Sequence, residues 1–174
     1  EKMESGSKSD IVFYKGGKIY QCSMKYGNSF QLSSSMIETN VTALNEIYKK
    51  IARGKGSSTD GNTLANIQAV INDVEAFFPN KYMTKEDVDS LVKHNPNAAA
   101  LEERLIEIIG TKGKDGVGSV YDEFRCAFVE ESITGKLTLK GKPLQIATHI
   151  LTEKGLRPIT KKLVQEFCAI VNPR

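Results

Sequence analysis

The residues of this 174-residue chain that could do acid–base, nucleophilic or metal chemistry are few and scattered. His94 and His149 are the only imidazoles, and each stands alone in the sequence. There is no His-Glu-x-x-His pattern, so no zinc-protease helix is expected. Cys22, Cys126 and Cys168 lie too far apart for a paired-thiolate zinc site by local spacing. Cys126 falls on a mainly apolar helical face and Cys168 beside Phe167, so both read as buried, inert thiols. Spacing alone does not decide whether the fold assembles a Cys–His pair, because such pairs are defined by geometry. Glu103 and Glu107 share a helical face that can bridge a divalent ion, yet carboxylates so placed are more often a solvated face. No metal and no cofactor are therefore expected.

Two glycine loops invite comparison with phosphate cradles. Gly54-Lys55-Gly56-Ser57-Ser58-Thr59-Asp60-Gly61 lacks the Gly-Lys-Ser/Thr ending and follows a helix where a P-loop follows a strand. The segment from Gly110 to Gly118 fails the dinucleotide fingerprint for the same reasons. Both read as surface loops, either of which can still present backbone N–H groups to an anion. Asn40-Val41-Thr42 matches a glycosylation sequon but lies inside an expected helix and reads as chance. These observations favour a non-enzymatic protein with no small-molecule substrate.

The elements that would carry these residues follow from periodicity. Ile11-Val12-Phe13-Tyr14 and Ile19-Tyr20-Gln21-Cys22 flank Lys15-Gly16-Gly17-Lys18, which predicts a β-hairpin. Leu137-Thr138-Leu139 is a candidate partner strand for it. Ser35-Met36-Ile37-Glu38 fits a capping box, and Ile37, Val41, Leu44, Tyr48 and Ile51 give one face of a helix over 36–52. Leu64, Ile67, Ile71, Val74 and Phe78 predict a second helix that stops at Pro79. Thr84 caps a third, carrying Val88, Leu91 and Val92. A fourth begins at Pro96, with Leu101, Leu105, Ile108 and Ile109 inward. A fifth carries Val120, Phe124, Ala127 and Phe128. After a polar link over 132–142, a sixth begins at Pro143, with Leu144, Ala147, Ile150 and Leu151 inward. A seventh begins at Pro158, with Ile159, Leu163, Phe167 and Ile170 inward.

The expected fold is mainly α, a compact bundle of six or seven helices with an N-terminal β-hairpin. Residues 1–10 read as a disordered lead-in, a tag remnant or the cut edge of a longer chain, and not as a signal peptide. Residues 11–174 read as one globular domain: hairpin over 11–30, helical core over 35–131, basic helical segment over 132–174. With 40% hydrophobic and 26% charged residues the composition is that of a soluble globular protein. No apolar run approaches a membrane span. The odd, widely spaced cysteines favour a reducing, intracellular compartment.

Charge is the most informative feature. The net +3 hides +2 over residues 1–83, −5 over 84–131 and +6 over 132–174. Such asymmetry is a cue to partners. Gln145 to Val171 reads as helix, turn, helix, with Lys161, Lys162 and Gln165 facing solvent and Arg157 at the positive end of the second helix's dipole. Arg157, Lys161 and Lys162, supported by Lys140 and Lys142, are the candidate contacts to nucleic-acid phosphate, RNA or DNA, or to an acidic protein surface. Lys49, Lys50, Arg53 and Lys55 form a second basic cluster. An acidic middle meeting a basic end on the next copy would give head-to-tail homo-oligomers, as in coat or nucleocapsid proteins. The alternative is an adaptor or inhibitor that binds a partner protein through Tyr14, Tyr20 and Phe30 of the hairpin region.

Overall fold

A computed structural model describes residues 7–25, 37–54, 61–78, 83–109 and 120–170. The chain is mostly helical, with six α-helices among the described residues, and its N-terminal hairpin joins a four-stranded sheet. It divides into two compact units. A helical unit comprises residues 35–128 and 171–174, and a sheet unit comprises residues 1–34 and 129–170.

The helical unit contains α1 (Ile37–Gly54), α2 (Gly61–Phe77), α3 (Lys85–His94), α4 (Ala98–Ile109) and the first part of α5 (Val120–Thr134). Val41, Leu44, Ile47 and Ile51 recur every three or four residues along α1, and all four are buried. Ile67, Val70, Ile71 and Val74 do the same along the neighbouring α2. Burying each such side chain stabilises the unit by roughly 1.5–3 kcal/mol before entropy is counted. Tyr48, half-exposed at the rim of α1, donates its hydroxyl to Gln68 Oε1 at 3.2 Å. Thr84 caps α3 as expected: its hydroxyl accepts from Asp87 N–H, and its own N–H donates to the Asp87 carboxylate. The capping box at Ser35 and the Pro79 stop lie outside the described residues. Helix α4 begins at Ala98 rather than Pro96, which sits in the preceding turn.

In the sheet unit, β1 (Ile11–Lys15) and β2 (Lys18–Met24) form the expected hairpin. Its two-residue loop is Gly16 and Gly17, at φ +59° and +74°. Positive φ at both loop positions matches the right-handed twist of the strands, which glycine adopts without strain. The remaining strands correct the sequence reading. Residues 143–158 are not a sixth helix. Pro143–Gln145 form one 3-10 turn, His149–Thr152 form β3, and Gly155–Pro158 form β4. The helix-turn-helix outline over Gln145–Val171 is therefore absent: a β-hairpin precedes the last helix, α6 (Lys161–Ile170). Leu137-Thr138-Leu139 is not a strand but part of the turn after α5. The partner of β2 is β3, which pairs parallel to it through Cys22↔His149, Ser23↔Ile150 and Met24↔Leu151. Parallel neighbours need a long crossover, and here the chain between them runs through the helical unit.

Residues 7–10, part of the segment read as a lead-in, are built into this unit. Lys8 and Ser9 donate their N–H groups to Gln145 O, Asp10 donates to Cys22 O, and Ser9 is fully buried. Cys22, Ile133, Ala147, Ile150 and Leu163 are buried in this unit, Cys22 and Ile150 on opposite faces of the sheet.

Candidate nucleic-acid interface

The strand register sorts the sheet's side chains onto two faces, because alternate residues point to opposite sides. One face carries Ser23 and Ile150, both buried, together with Arg157 of β4. The Arg157 guanidinium reaches the Glu166 carboxylate of α6 at 2.9 and 3.1 Å. The other face carries Phe13, Tyr20 and His149 side by side on β1, β2 and β3. The Phe13 and Tyr20 rings stack with centroids 4.9 Å apart and planes 3° from parallel. The Tyr20 and His149 rings are 4.8 Å apart and tilted by 48°. Both separations match the spacing of adjacent strands, so the rings form a row across the sheet. Ile11, Met24 and Leu156 lie on this same face and are 41%, 38% and 40% exposed.

The lysines fall around this unit. Lys140 and Lys142 are exposed on the turn following α5. That turn is held from beneath by Glu131, which is only 4% exposed. Its carboxylate accepts from Leu137 N–H at 2.9 Å, Thr138 N–H at 3.0 Å and the Thr138 hydroxyl at 2.7 Å. Gly135, at φ +70°, closes α5, and a Cβ there would come within 2.5 Å of Leu139 Cδ1 and 2.8 Å of Lys8 Cγ. Lys161 and Lys162 are exposed in the first turn of α6, whose N-terminal amides are partly capped by the Thr160 hydroxyl accepting from Leu163 N–H. A helix N-terminus is its positive end, so each cation there costs about 0.3–1 kcal/mol. Among the described residues, no acidic side chain pairs with Lys15, Lys18, Lys140, Lys161 or Lys162.

Charge divides along the same lines as the units. The sheet unit has twelve basic and seven acidic residues, net +5, whereas the helical unit has twelve and fourteen, net −2. Lys49, Lys50 and Arg53 sit at the C-terminal end of α1, in the helical unit, where cations complement the helix dipole. Lys49 is paired with Glu46 at 2.9 Å. Lys55 and Phe30 lie outside the described residues. Tyr14 and Tyr20, proposed from sequence as one surface, point to opposite faces, because Tyr14 pairs with Ile19 and Tyr20 with Phe13. Arg157 stands on a strand rather than at the start of a helix, with its charge engaged by Glu166.

Two features escaped the sequence reading. The first is the cross-strand pairing of Cys22 with His149, the residue types of a thiol nucleophile and its base. The surroundings oppose that chemistry. Cys22 is fully buried, and desolvation raises its pKa, so the neutral thiol persists near pH 7. Desolvation lowers the His149 pKa, and its Nδ1 lies 2.9 Å from the Thr148 hydroxyl. The second is a set of charged side chains, Lys8, Lys25, Asp10 and Glu131, that act on one another electrostatically. Burial lowers the Lys8 pKa, as does the Lys25 charge, while Glu131 opposes the shift. Burial lowers the Lys25 pKa as well, against the pull of Asp10. Charges of opposite sign thus act on one another within the sheet unit, Glu131 on Lys8 and Asp10 on Lys25.

In the helical unit, a groove of about 440 Å³ lies between α2 and α4. Ala76, Phe77 and Leu101 line it, and the Asp73–Arg104 ion pair spans it. Among the described residues, no three His, Cys, Asp or Glu side chains are grouped to hold a metal ion. No described helix is long and apolar enough to cross a membrane. Comparison of the chain with protein-family models, with curated proteins and with solved structures finds no match in any of the three.

Proposed function

We propose that the sheet unit binds nucleic acid, with Lys161, Lys162, Lys140 and Lys142 contacting phosphate. The observation that carries this reading is the placement of Lys161 and Lys162: exposed, without an acidic partner, at the end of α6 where the helix dipole already disfavours a cation. An anion bound there would turn that local cost into a favourable interaction. Lys140 and Lys142 stand on a turn fixed by Glu131, and the net +5 of the unit adds a long-range attraction for polyanions. Phosphate contacts of this kind position a strand and carry no sequence information. The test is fluorescence anisotropy with labelled oligonucleotides. The double variant Lys161→Glu, Lys162→Glu, with its circular dichroism unchanged, weakens binding by about tenfold or more. Unchanged affinity in the folded variant removes this site. Head-to-tail association of acidic helical units with basic sheet units belongs to the same proposal. It shows in sedimentation as a mass that rises with protein concentration and falls with salt.

A second reading, a protein–protein module, draws on a different observation. β1 is an edge strand of the sheet, and its Tyr14, with Ile19 opposite on β2, is 72% exposed against 45% for Ile19. An edge of this kind accepts an added strand from a partner. That reading expects binding to depend on Tyr14 and to be indifferent to the α6 lysines.

A further inference from the structure

The rings of Phe13, Tyr20 and His149 are half-buried, on a face where Cys22 is fully buried while Ile11, Met24 and Leu156 are exposed. Phe13, Tyr20 and His149 stand at strand spacing, and Tyr20 has both ring faces occupied by its neighbours. The row ends at Phe13 on the edge strand β1, and the ring contacts described place no aromatic partner on Phe13 beyond Tyr20. Lys15 and Lys18 face each other on the same side of the sheet, two residues further along the same strands. Both are exposed. No Asp or Glu occupies this face of the four strands. A protein segment docking here would find apolar contacts but two uncompensated cations, whereas a nucleic-acid strand offers rings for the row and phosphates for the lysines. An aromatic platform beside a cationic edge is how sheets hold unpaired bases, since every base has a π-face while a duplex keeps its bases stacked inside.

We infer that this face takes single-stranded nucleic acid, one unpaired base extending the ring row at Phe13 while Lys15 and Lys18 hold the adjoining phosphates. The inference rests on the nucleic-acid reading above and specifies its substrate class: unpaired rather than duplex strands, with little preference among bases.

The test compares three probes by anisotropy at one salt concentration, a pyrimidine single strand of about 12 nucleotides, a duplex and the abasic backbone of the same length, each with the wild type and with a Phe13→Leu variant. The leucine keeps apolar packing in the hairpin and removes the ring. The expected result is single-strand binding about tenfold tighter than to the abasic backbone, with Phe13→Leu losing about tenfold on the single strand and nothing on the duplex. The wild-type comparison needs no variant, so a hairpin that fails to fold with leucine does not blunt the test. Equal binding of native and abasic strands overturns the stacking inference, leaves phosphate contact standing and returns this face to an apolar protein partner. Absence of binding to any probe overturns both this inference and the nucleic-acid reading.

Discussion

Glu131 is the side chain on which the Lys140–Lys142 turn depends, and its removal has a calculable cost. Its carboxylate accepts two backbone N–H groups and one hydroxyl while only 4% exposed. A hydrogen bond to a charged group contributes about 1.5–3 kcal/mol, and a buried amide left without a partner costs about 1–3 kcal/mol. The Leu137 and Thr138 amides are only part-buried, so water recovers some of this loss. Glu131→Ala should then destabilise the sheet unit by about 3–4 kcal/mol. Glu131→Gln keeps one acceptor oxygen but turns an NH2 group toward a donor, and should cost about 2 kcal/mol. Urea denaturation at pH 7 measures the totals. Amide hydrogen exchange locates them: Leu137 and Thr138 should lose protection in both variants, while the amides of α1 and α2 keep theirs. A loss below about 1 kcal/mol in Glu131→Ala, or unchanged protection at Leu137 and Thr138, would refute the claim that this carboxylate holds the turn.

Two other perturbations follow from the same geometry. Gly135→Ala introduces a side chain at φ +70° against Leu139 and Lys8, and should cost about 2–3 kcal/mol, read as a lower urea midpoint with an unchanged slope. His149 favours its neutral form in the fold, because its pKa is lowered from 6.5 by desolvation. Its contribution to stability is therefore complete above the unfolded pKa and declines as pH falls below about 6.5 toward the folded value. In urea titrations at pH 7.5 and 5.5, His149→Phe should show a smaller drop in stability than the wild type. Equal drops would mean that His149 is not the group responsible.

The parts of the fold legible in the sequence are those whose signal is local. Gly16-Gly17 between β-branched and aromatic runs specifies a two-residue hairpin loop, and the structure has one there. The spacing of Val41, Leu44 and Ile51, three and seven residues apart, marks the buried face of α1. β3 and β4 were illegible for the opposite reason. Each is four residues long, too short to display a period of two, and Leu144, Ala147, Ile150 and Leu151 imitate helical spacing. What makes His149–Thr152 a strand is β2: Gln21 N–H donates to the Thr148 hydroxyl across 127 residues of sequence. The ring row was within reach. Fixing the register at Lys15↔Lys18 places Phe13 opposite Tyr20 and sends Tyr14 to the other face. His149 could join that row only once β3 was known. The same holds for Glu131, which sits among acidic residues of a helix and reads as surface until the turn folds over it.

Phosphate contact is the central claim, and salt dependence tests it most directly. Anisotropy of a labelled single strand, titrated from about 50 to 200 mM salt, reads the number of phosphates engaged. Lys140, Lys142, Lys161 and Lys162, joined on a single strand by Lys15 and Lys18, predict a slope of log Kobs against log salt of about −4, shallower by about 1.4 in the Lys161→Glu, Lys162→Glu variant. Binding with a slope near zero, or no binding at the lowest salt, would contradict the claim.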